Sequence, residues 1–533
     1  MKMNILREWF SLLLLGFTAW LKYGSEWVRW VFRRWTLDPE GRGADHSEHR
    51  KSELWQTDVA SRIFSCGDGP RVTVQTSTHA FQAELGRLAE ASEYFRALSR
   101  SSMRETTERL VHLDHVPARV LHNLLQFIFS GRFSVPDGEL GLHLQMGSYL
   151  LAHAFVSECL SRLSSVLTPE NCEAHLAFAR EIGCLEMQET VQGYLSRNLL
   201  ELGPLTARLE PGEREELAGL RLCGARRLCG LRKENLASGS RSETEAARRL
   251  YSLAGEGWRA EAPLPFAADK WCFTTAVLHN YLYLIGGYRH KVGRGYEFKM
   301  ASFRYNPLTH SWASTAPLIK CRRHFSTAVC EGRVFAVGGW YLDSLVTPDC
   351  STALFAAVER YDPWADSWAF VSSLPLGDLR FAMSLSHDIP LAAALGHCVY
   401  VMGTLQRTGE KLVLQYDVRR DSWSELLPTL TRTDAEIPSL YFLGATDRLF
   451  VIGGTNSENV VTSRCVEAGR WGRPRTTEKT WLAGQGTVLD DEVYMSDIEH
   501  HSIIKLNLHS LAVHRLPPFP ISTSYEALFH LHF

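Results

Sequence analysis

From Arg248 to the last residue the chain is written in period two. Short apolar runs recur, each followed by a turn: Leu282–Ile285, Val334–Val337, Val399–Met402 and Leu449–Ile452. Runs of this length, closed by Gly286-Gly287, Gly338-Gly339, Met402-Gly403 and Gly453-Gly454, predict strands buried on both faces. The N-terminal half follows another rhythm. Arg71–Gln75 alternates like a strand. Helical spacing then runs from about Phe81 to Leu98, over Pro117–Ser130, over Gly138–Leu163 and again over 169–233. The last of these opens on Thr168-Pro169-Glu170-Asn171, a good N-cap followed by a good first helical residue. The polar stretch 234–247 (ENLASGSRSETEAA) predicts a linker.

A longer repeat lies over the strand pattern. Tyr305-Asn306-Pro307-Leu308-Thr309-His310-Ser311-Trp312 returns as Tyr361-Asp362-Pro363-Trp364-Ala365-Asp366-Ser367-Trp368 and as Tyr416-Asp417-Val418-Arg419-Arg420-Asp421-Ser422-Trp423. The tryptophans stand 56 and 55 residues apart, with weaker echoes at Trp258 and Trp471. A period near 50 in an aromatic, turn-rich sequence predicts a ring of small sheets, a β-propeller. Five repeats are visible. Leu250-Tyr251 to Trp258-Arg259-Ala260 and Ser524–Phe533 supply the last and first strands of a sixth. No second strand is legible for that closing blade, which predicts three strands there. The repeated tyrosines and tryptophans are expected in the packing between blades.

Composition adds limits. A chain of 533 residues is too long for one core. A net charge of −2 gives no electrostatic footprint for nucleic acid. Twelve cysteines, none in a Cys-x-x-Cys pair, argue against a zinc site and for reduced thiols. The chain has no Asn-x-Ser/Thr sequon, so a cytoplasmic location is expected, with the nucleus also open. Trp9–Leu21 is apolar over 13 residues, short of the roughly 20 a spanning helix needs, and is followed by tryptophans among arginines up to Trp35. Membrane contact through residues 9–35 is one expectation; a helix docked on the next domain is the other. There is no phosphate-binding loop, nucleophile elbow or metalloprotease motif, so neither an enzyme nor a cofactor or metal is expected. His46 and His49 read as solvated linker, and His530 and His532 as structural residues of one strand. Arg221, Arg226, Arg227, Arg232 and Lys233 read as a solvated helix face, with Cys223 and Cys229 among them as weak redox candidates.

The helical half carries a resemblance. Leu88-Ala89-Glu90-Ala91-Ser92-Glu93-Tyr94-Phe95-Arg96-Ala97-Leu98, Met103-Arg104-Glu105, Leu125-Gln126-Phe127-Ile128-Phe129-Ser130-Gly131 and Met146-Gly147-Ser148-Tyr149-Leu150 fall in the order and spacing of a BTB (POZ) domain. Thr168-Pro169-Glu170-Asn171-Cys172 looks like the start of a BACK domain. With the repeats, residues 60 to 533 resemble the kelch-like (BTB–BACK–kelch) family, as a divergent member with a shortened BACK region. Pro70 stands where the family has an aspartate, and Ala83-Glu84-Leu85 where it has a His-Arg pair, both of which help to pack the BTB homodimer.

The resemblance implies a multidomain fold: an α/β BTB domain and an α-helical BACK segment, then an all-β six-bladed kelch propeller. The expected boundaries are 1–53 for an N-terminal arm, 54–167 for BTB, 168–233 for BACK, 234–247 for a linker and 248–533 for the propeller. It implies a substrate adaptor of a cullin-3 ubiquitin ligase, with Met103, Glu105, Tyr94 and Phe95 at the cullin. An unidentified protein target would sit on Lys270, Trp271, Arg289, Arg322, Arg323, Trp340, Tyr341, Arg380, Arg432 and Tyr525. This basic and aromatic set suits an acidic peptide. The alternative is a BTB–kelch scaffold or cytoskeletal interaction protein without ligase partners, free or membrane-tethered.

Overall fold

The computed structural model describes residues 62–533, apart from 102–103, 234–235, 237–239, 271–272, 292–294, 299, 323–324, 342–352, 355, 376–380, 383–391, 406–410, 427–439, 455–457 and 522–525. The chain divides into two compact units between Leu195 and Ser196.

The first unit is α/β. Strands β1 (Ile63–Phe64), β2 (Arg71–Gln75), β3 (Ala80–Glu84) and β4 (Leu110–His112) form one sheet in the order β1-β3-β2-β4. β2 and β3 are antiparallel, Val74 opposite Phe81. Phe81 therefore belongs to a strand, and the helical run expected from Phe81 begins at Leu85. Val72, Val74, Phe81 and Ala83 turn inward, the alternation that a half-buried hairpin demands. Helices α1 (Leu85–Ala91), α2 (Glu93–Ser99), α3 (Arg104–Glu108), α4 (Ala118–Ser130), α5 (Leu140–Tyr149), α6 (His153–Val166) and α7 (Cys172–Ile182) follow, and α8 (Leu185–Arg197) runs to the boundary. α4 buries Val120, Leu121, Leu124, Leu125 and Ile128, one face at helical spacing, and stops at Gly131 in the left-handed region (φ 67°).

The second unit opens with two more helices, α9 (Gly203–Thr206) and α10 (Pro211–Leu220), and continues as six antiparallel sheets of four principal strands. Blade 1 uses 274–278, 281–285, 302–306 and 311–315, and blade 2 uses 326–330, 333–337, 358–362 and 367–371. Blades 3, 4 and 5 begin at Ala392, Leu440 and Leu482. The first strands of successive blades are neighbours, and that of blade 6 (Glu526–His532) adjoins that of blade 1, which closes the ring. Two hydrophobic clusters show the blade-to-blade packing. One joins Phe335 and Val337 to Val399, Val401 and Tyr416; another joins Tyr400 and Met402 to Phe442, Leu449 and Val451.

Four expectations are corrected in blade 6. It has four strands, because Arg226–Arg232 pairs with Glu526–His532 on one side and with Arg249–Ala254 on the other. The propeller thus begins at Arg226, not at Arg248. The polar stretch 234–247, a linker by composition, lies between two strands of one blade and includes the helix α11 (Arg241–Ala247). The basic run is not a solvated helix face: Arg221, Arg232 and Lys233 are buried, and Arg226–Arg232 is a strand. Alternating apolar residues (Leu228, Gly230 against Cys229, Leu231) are buried on both sides of that strand, so its charged ends disguised it.

The helical region expected over 168–233 is likewise divided. α7 and most of α8 belong to the first unit, whereas Ser196 onward belongs to the second.

Candidate interaction surfaces

On the BTB-like unit, Ser92 caps α2. Its Oγ accepts from the Phe95 amide at 3.3 Å and donates to the Leu150 carbonyl. That cap turns Phe95 into the core, where it is 0% exposed, so Phe95 is not available to a partner as the sequence suggested. Tyr94 is half-buried, edge-on to Phe95 at 5.2 Å and 6.0 Å from the Tyr149 ring. Burial pushes its phenol well above the ordinary range, and the neighbouring Tyr149 and Glu105 add to this. Glu105 is exposed on α3, beside an Arg104–Glu108 ion pair at 2.6 Å. Met103 lies outside the described residues.

The propeller has two unlike faces. Between the first and second strands of blades 1 to 5 the turns have two residues: 279–280, 331–332, 396–397, 446–447 and 490–491. The turns between third and fourth strands are also short. The long connections, between second and third strands and between blades, emerge at the opposite face because strand direction alternates within each blade. In blades 1 and 2 they leave the sheet through Gly286-Gly287 and Gly338-Gly339, all at positive φ (67°, 107°, 67° and 89°). A side chain at Gly286 would also meet the Phe325 ring at 3.1 Å. Backbone handedness, rather than approach at the channel, requires glycine there. Gly453-Gly454 differs and simply ends the strand Arg448–Gly454.

Two of the basic residues expected to hold a partner are structural. Arg322 is 0% exposed. Its Nη1 donates to the carbonyls of Gly338 and Ala357 at 3.0 Å, and its Nη2 reaches Glu359 Oε1 at 2.5 Å. Glu359 in turn accepts from the amides of Ile319 and Lys320. The pair pins the connection into blade 2 against its second and third strands. Burial lowers the Arg322 pKa, opposed by the Glu359 charge. Lys270 is the equivalent residue of blade 1. It is buried beside Phe266 and Phe303, and its Nζ donates to the Ala301 carbonyl. Arg289 lies in a hairpin strand (Tyr288–Lys291), and Trp340 and Tyr341 form another short strand paired with Ala353–Leu354. Trp271, Arg323, Arg380, Arg432 and Tyr525 lie outside the described residues.

The structure adds an exposed aromatic that the repeat pattern did not single out. Trp481 is 54% exposed at the entry to blade 5, on the long-loop side. The Lys479 ammonium lies 4.8 Å from its ring, and its carbonyl accepts from the amide of exposed Ile498. It falls outside the tryptophan register, the one sequence signal that could have set it apart.

The short-turn face is partly covered by the unit's own helices. Arg214 of α10 lies 5.4 Å from the Trp364 ring of blade 2. Arg221, just after α10, is 0% exposed, and its guanidinium lies 3.8 Å from the Tyr281 ring of blade 1. His279 beside it is held down to about 4 by burial, with the charges of Arg221 and Arg333 adding. A cavity of about 400 Å³ enters the ring among Leu222, Arg226, Thr275, Gln485 and His530. Inside it Thr275 Oγ1 donates to Gln485 Oε1 at 2.9 Å, which links blades 1 and 5. Cys229 is buried with its thiol pushed far up, which removes it as a redox candidate, whereas Cys223 is exposed. Among the described residues no cluster of His, Cys, Asp and Glu could hold a metal ion, and no helix is long and apolar enough to cross a membrane. Residues 9–35 lie outside them.

Comparison with known proteins agrees with this architecture. Residues 63–166 match the BTB/POZ domain and residues 321–375, which enclose blade 2, the Kelch motif. Human Kelch repeat and BTB domain-containing protein 13 is 29% identical over 368 residues, covering 67% of this chain and 71% of that protein. Kelch repeat and BTB domain-containing protein 2 of Pongo abelii is 24% identical over 460 residues, 69% of each chain. Mouse Kelch domain-containing protein 7A is 27% identical over 256 residues, 48% of this chain but only 29% of that protein. A BTB fold followed by helices and a closed six-bladed ring, with both motifs recognised in place, gives this chain the domain order of the BTB–kelch proteins it resembles.

Proposed function

We propose that this protein is a substrate-recognition adaptor of a cullin-3 RING ubiquitin ligase. The BTB domain docks on the cullin, with Met103 and Glu105 at the contact, and the propeller holds the protein to be modified. The chain does no bond chemistry itself. It raises the effective concentration of its target beside a ubiquitin-loaded partner. It acts in the cytoplasm, and homodimerisation through the BTB domain is its other contact.

The observation that carries this reading is the asymmetry of the propeller. Its long connections gather at one face, while α10 and Arg221 already occupy part of the other. Loops on a rigid scaffold can vary in shape without loss of the fold, which suits recognition. Because Lys270 and Arg322 are committed to the framework, the target contact shifts toward exposed residues such as Trp481 and Ile498.

The test is capture of the cullin-3 N-terminal domain by the full chain, wild type against Met103→Ala/Glu105→Lys. Capture that the double variant loses supports the adaptor. No capture by folded wild-type protein overturns it and leaves the scaffold reading.

A further inference from the structure

Blade 6 is assembled from two distant parts of the chain. Its first strand is Glu526–His532 and its second is Arg226–Arg232, paired from Glu526 opposite Arg232 to His532 opposite Arg226. In blades 1 to 5 a two-residue turn joins these strands. Here that turn is replaced by a non-covalent junction. The amide of Phe533 donates to the Ala225 carbonyl and the amide of Ala225 to the Phe533 carbonyl, both at 3.1 Å. Gly224 fits so closely that a Cβ there would lie 2.1 Å from the Phe533 carbonyl oxygen.

One side chain of blade 1 bridges the two parts. Asn280 is 3% exposed, in the left-handed region (φ 56°). Its Nδ2 donates to the Arg221 carbonyl at 3.0 Å and to the His532 carbonyl at 2.8 Å, and its Oδ1 accepts from the His532 amide at 2.8 Å. Arg221 then locks the helical segment to the same turn. Its guanidinium donates to the carbonyls of His279 (2.7 Å) and Asn280 (3.2 Å), to Asn306 Oδ1 (2.9 Å), and back to the carbonyls of Ser196 (2.6 Å) and Arg197 (3.0 Å). Tyr281 extends the contact by donating to Glu201 at 2.6 Å and accepting from the Leu200 amide.

We infer that residues 196–225 are a clasp for ring closure, released only together with blade 6. The reason is the sharing of partners. Lifting the segment away pulls the Arg221 guanidinium off His279, Asn280 and Asn306, leaves those buried acceptors unpaired, and strips Asn280 of one of the two chain segments it joins. A freed Arg226–Arg232 leaves Glu526–His532 as an unpaired strand edge. Partial release therefore strands polar groups that full release returns to water. The segment would then not behave as an appendage that frays alone, and anything that pulls on it acts on the ring.

Native-state hydrogen exchange of the full chain, followed by mass spectrometry, tests this with Arg221→Lys and Asn280→Ala. Exchange in residues 196–222 and 526–532 is expected to rise together, at least tenfold and by the same factor, with 448–453 of blade 4 unchanged. A rise in 196–222 while 526–532 keeps wild-type protection overturns the clasp. Should a variant lose protection in blade 4 too, the wild-type protein in sub-denaturing urea decides. The two segments must converge on one opening reaction, and a separate, easier opening of 196–222 refutes the inference.

Discussion

Tyr361 donates its hydroxyl to Asp366 Oδ1 at 2.6 Å, across the turn between the third and fourth strands of blade 2. The same carboxylate accepts from the Ala316 amide at 3.0 Å, just past the last strand of blade 1, and Trp368 Nε1 returns a bond to the Ala316 carbonyl at 3.0 Å. Blade 3 repeats the set with Tyr416, Asp421, Trp423 and Ser372. The repeated phrase is thus a staple between consecutive blades. In blade 1 His310 stands in the aspartate position, and among the described residues the Trp312 indole nitrogen has no acceptor.

Asp366→Ala and Asp421→Ala should therefore each destabilise the propeller by about 1–3 kcal/mol, since each leaves a phenol and an amide short of an acceptor. His310→Ala should cost less than either. Urea denaturation of the three variants checks the order.

The Arg322–Glu359 pair supports the connection into blade 2. Arg322→Met leaves a buried carboxylate and should cost about 3–5 kcal/mol, with Glu359→Gln milder because the amide can still accept. A double variant less destabilised than Arg322→Met alone would confirm the coupling. If Arg322→Met kept wild-type stability, the pair would not be the anchor described.

Stability should fall as the pH drops from about 6.5 to about 4. His279 and His530 are each held down to about 4, by burial first and then by nearby cations, Arg226 in the case of His530. The unfolded chain takes up these protons near the ordinary 6.5, before the folded form does. Each histidine then contributes a loss of about 1–3 kcal/mol over that window, fully regained above it. Denaturation at pH 7.5, 6 and 5 checks this, and His530→Phe should flatten the dependence.

Trp481→Ala should leave stability within about 0.5 kcal/mol, because the ring is largely exposed. If blade 5 lies in the target site, the same change should weaken target capture by about thirtyfold, the roughly 2 kcal/mol scale of an interface hot spot. Unchanged capture would move the site to other blades.

Much of this was legible in residue order. The Tyr–Asp–Trp phrase and the apolar runs announced repeated four-stranded sheets, because burial on two faces imposes short apolar strands. Even the faint echo at Trp258 was in register: its Nε1 donates to the Pro517 carbonyl of the preceding blade, as Trp368 does to Ala316. The short helix Arg104–Glu108 that carries Glu105 was not legible in the helical spacing. What the chain order could not show was which charged residues would be buried. Arg221, Lys270 and Arg322 have the composition of a binding surface, yet each is held by carbonyls remote in sequence. Arg226–Arg232 reads as a helix face in the sequence because its partner, Glu526–His532, lies at the far end of the chain, His532 opposite Arg226. Local pattern by itself determined most of the propeller's strands and turns and its repeat number, since these depend on near neighbours. Only the tertiary structure decided how the ring closes and which cations face water, since both depend on partners that folding alone brings together.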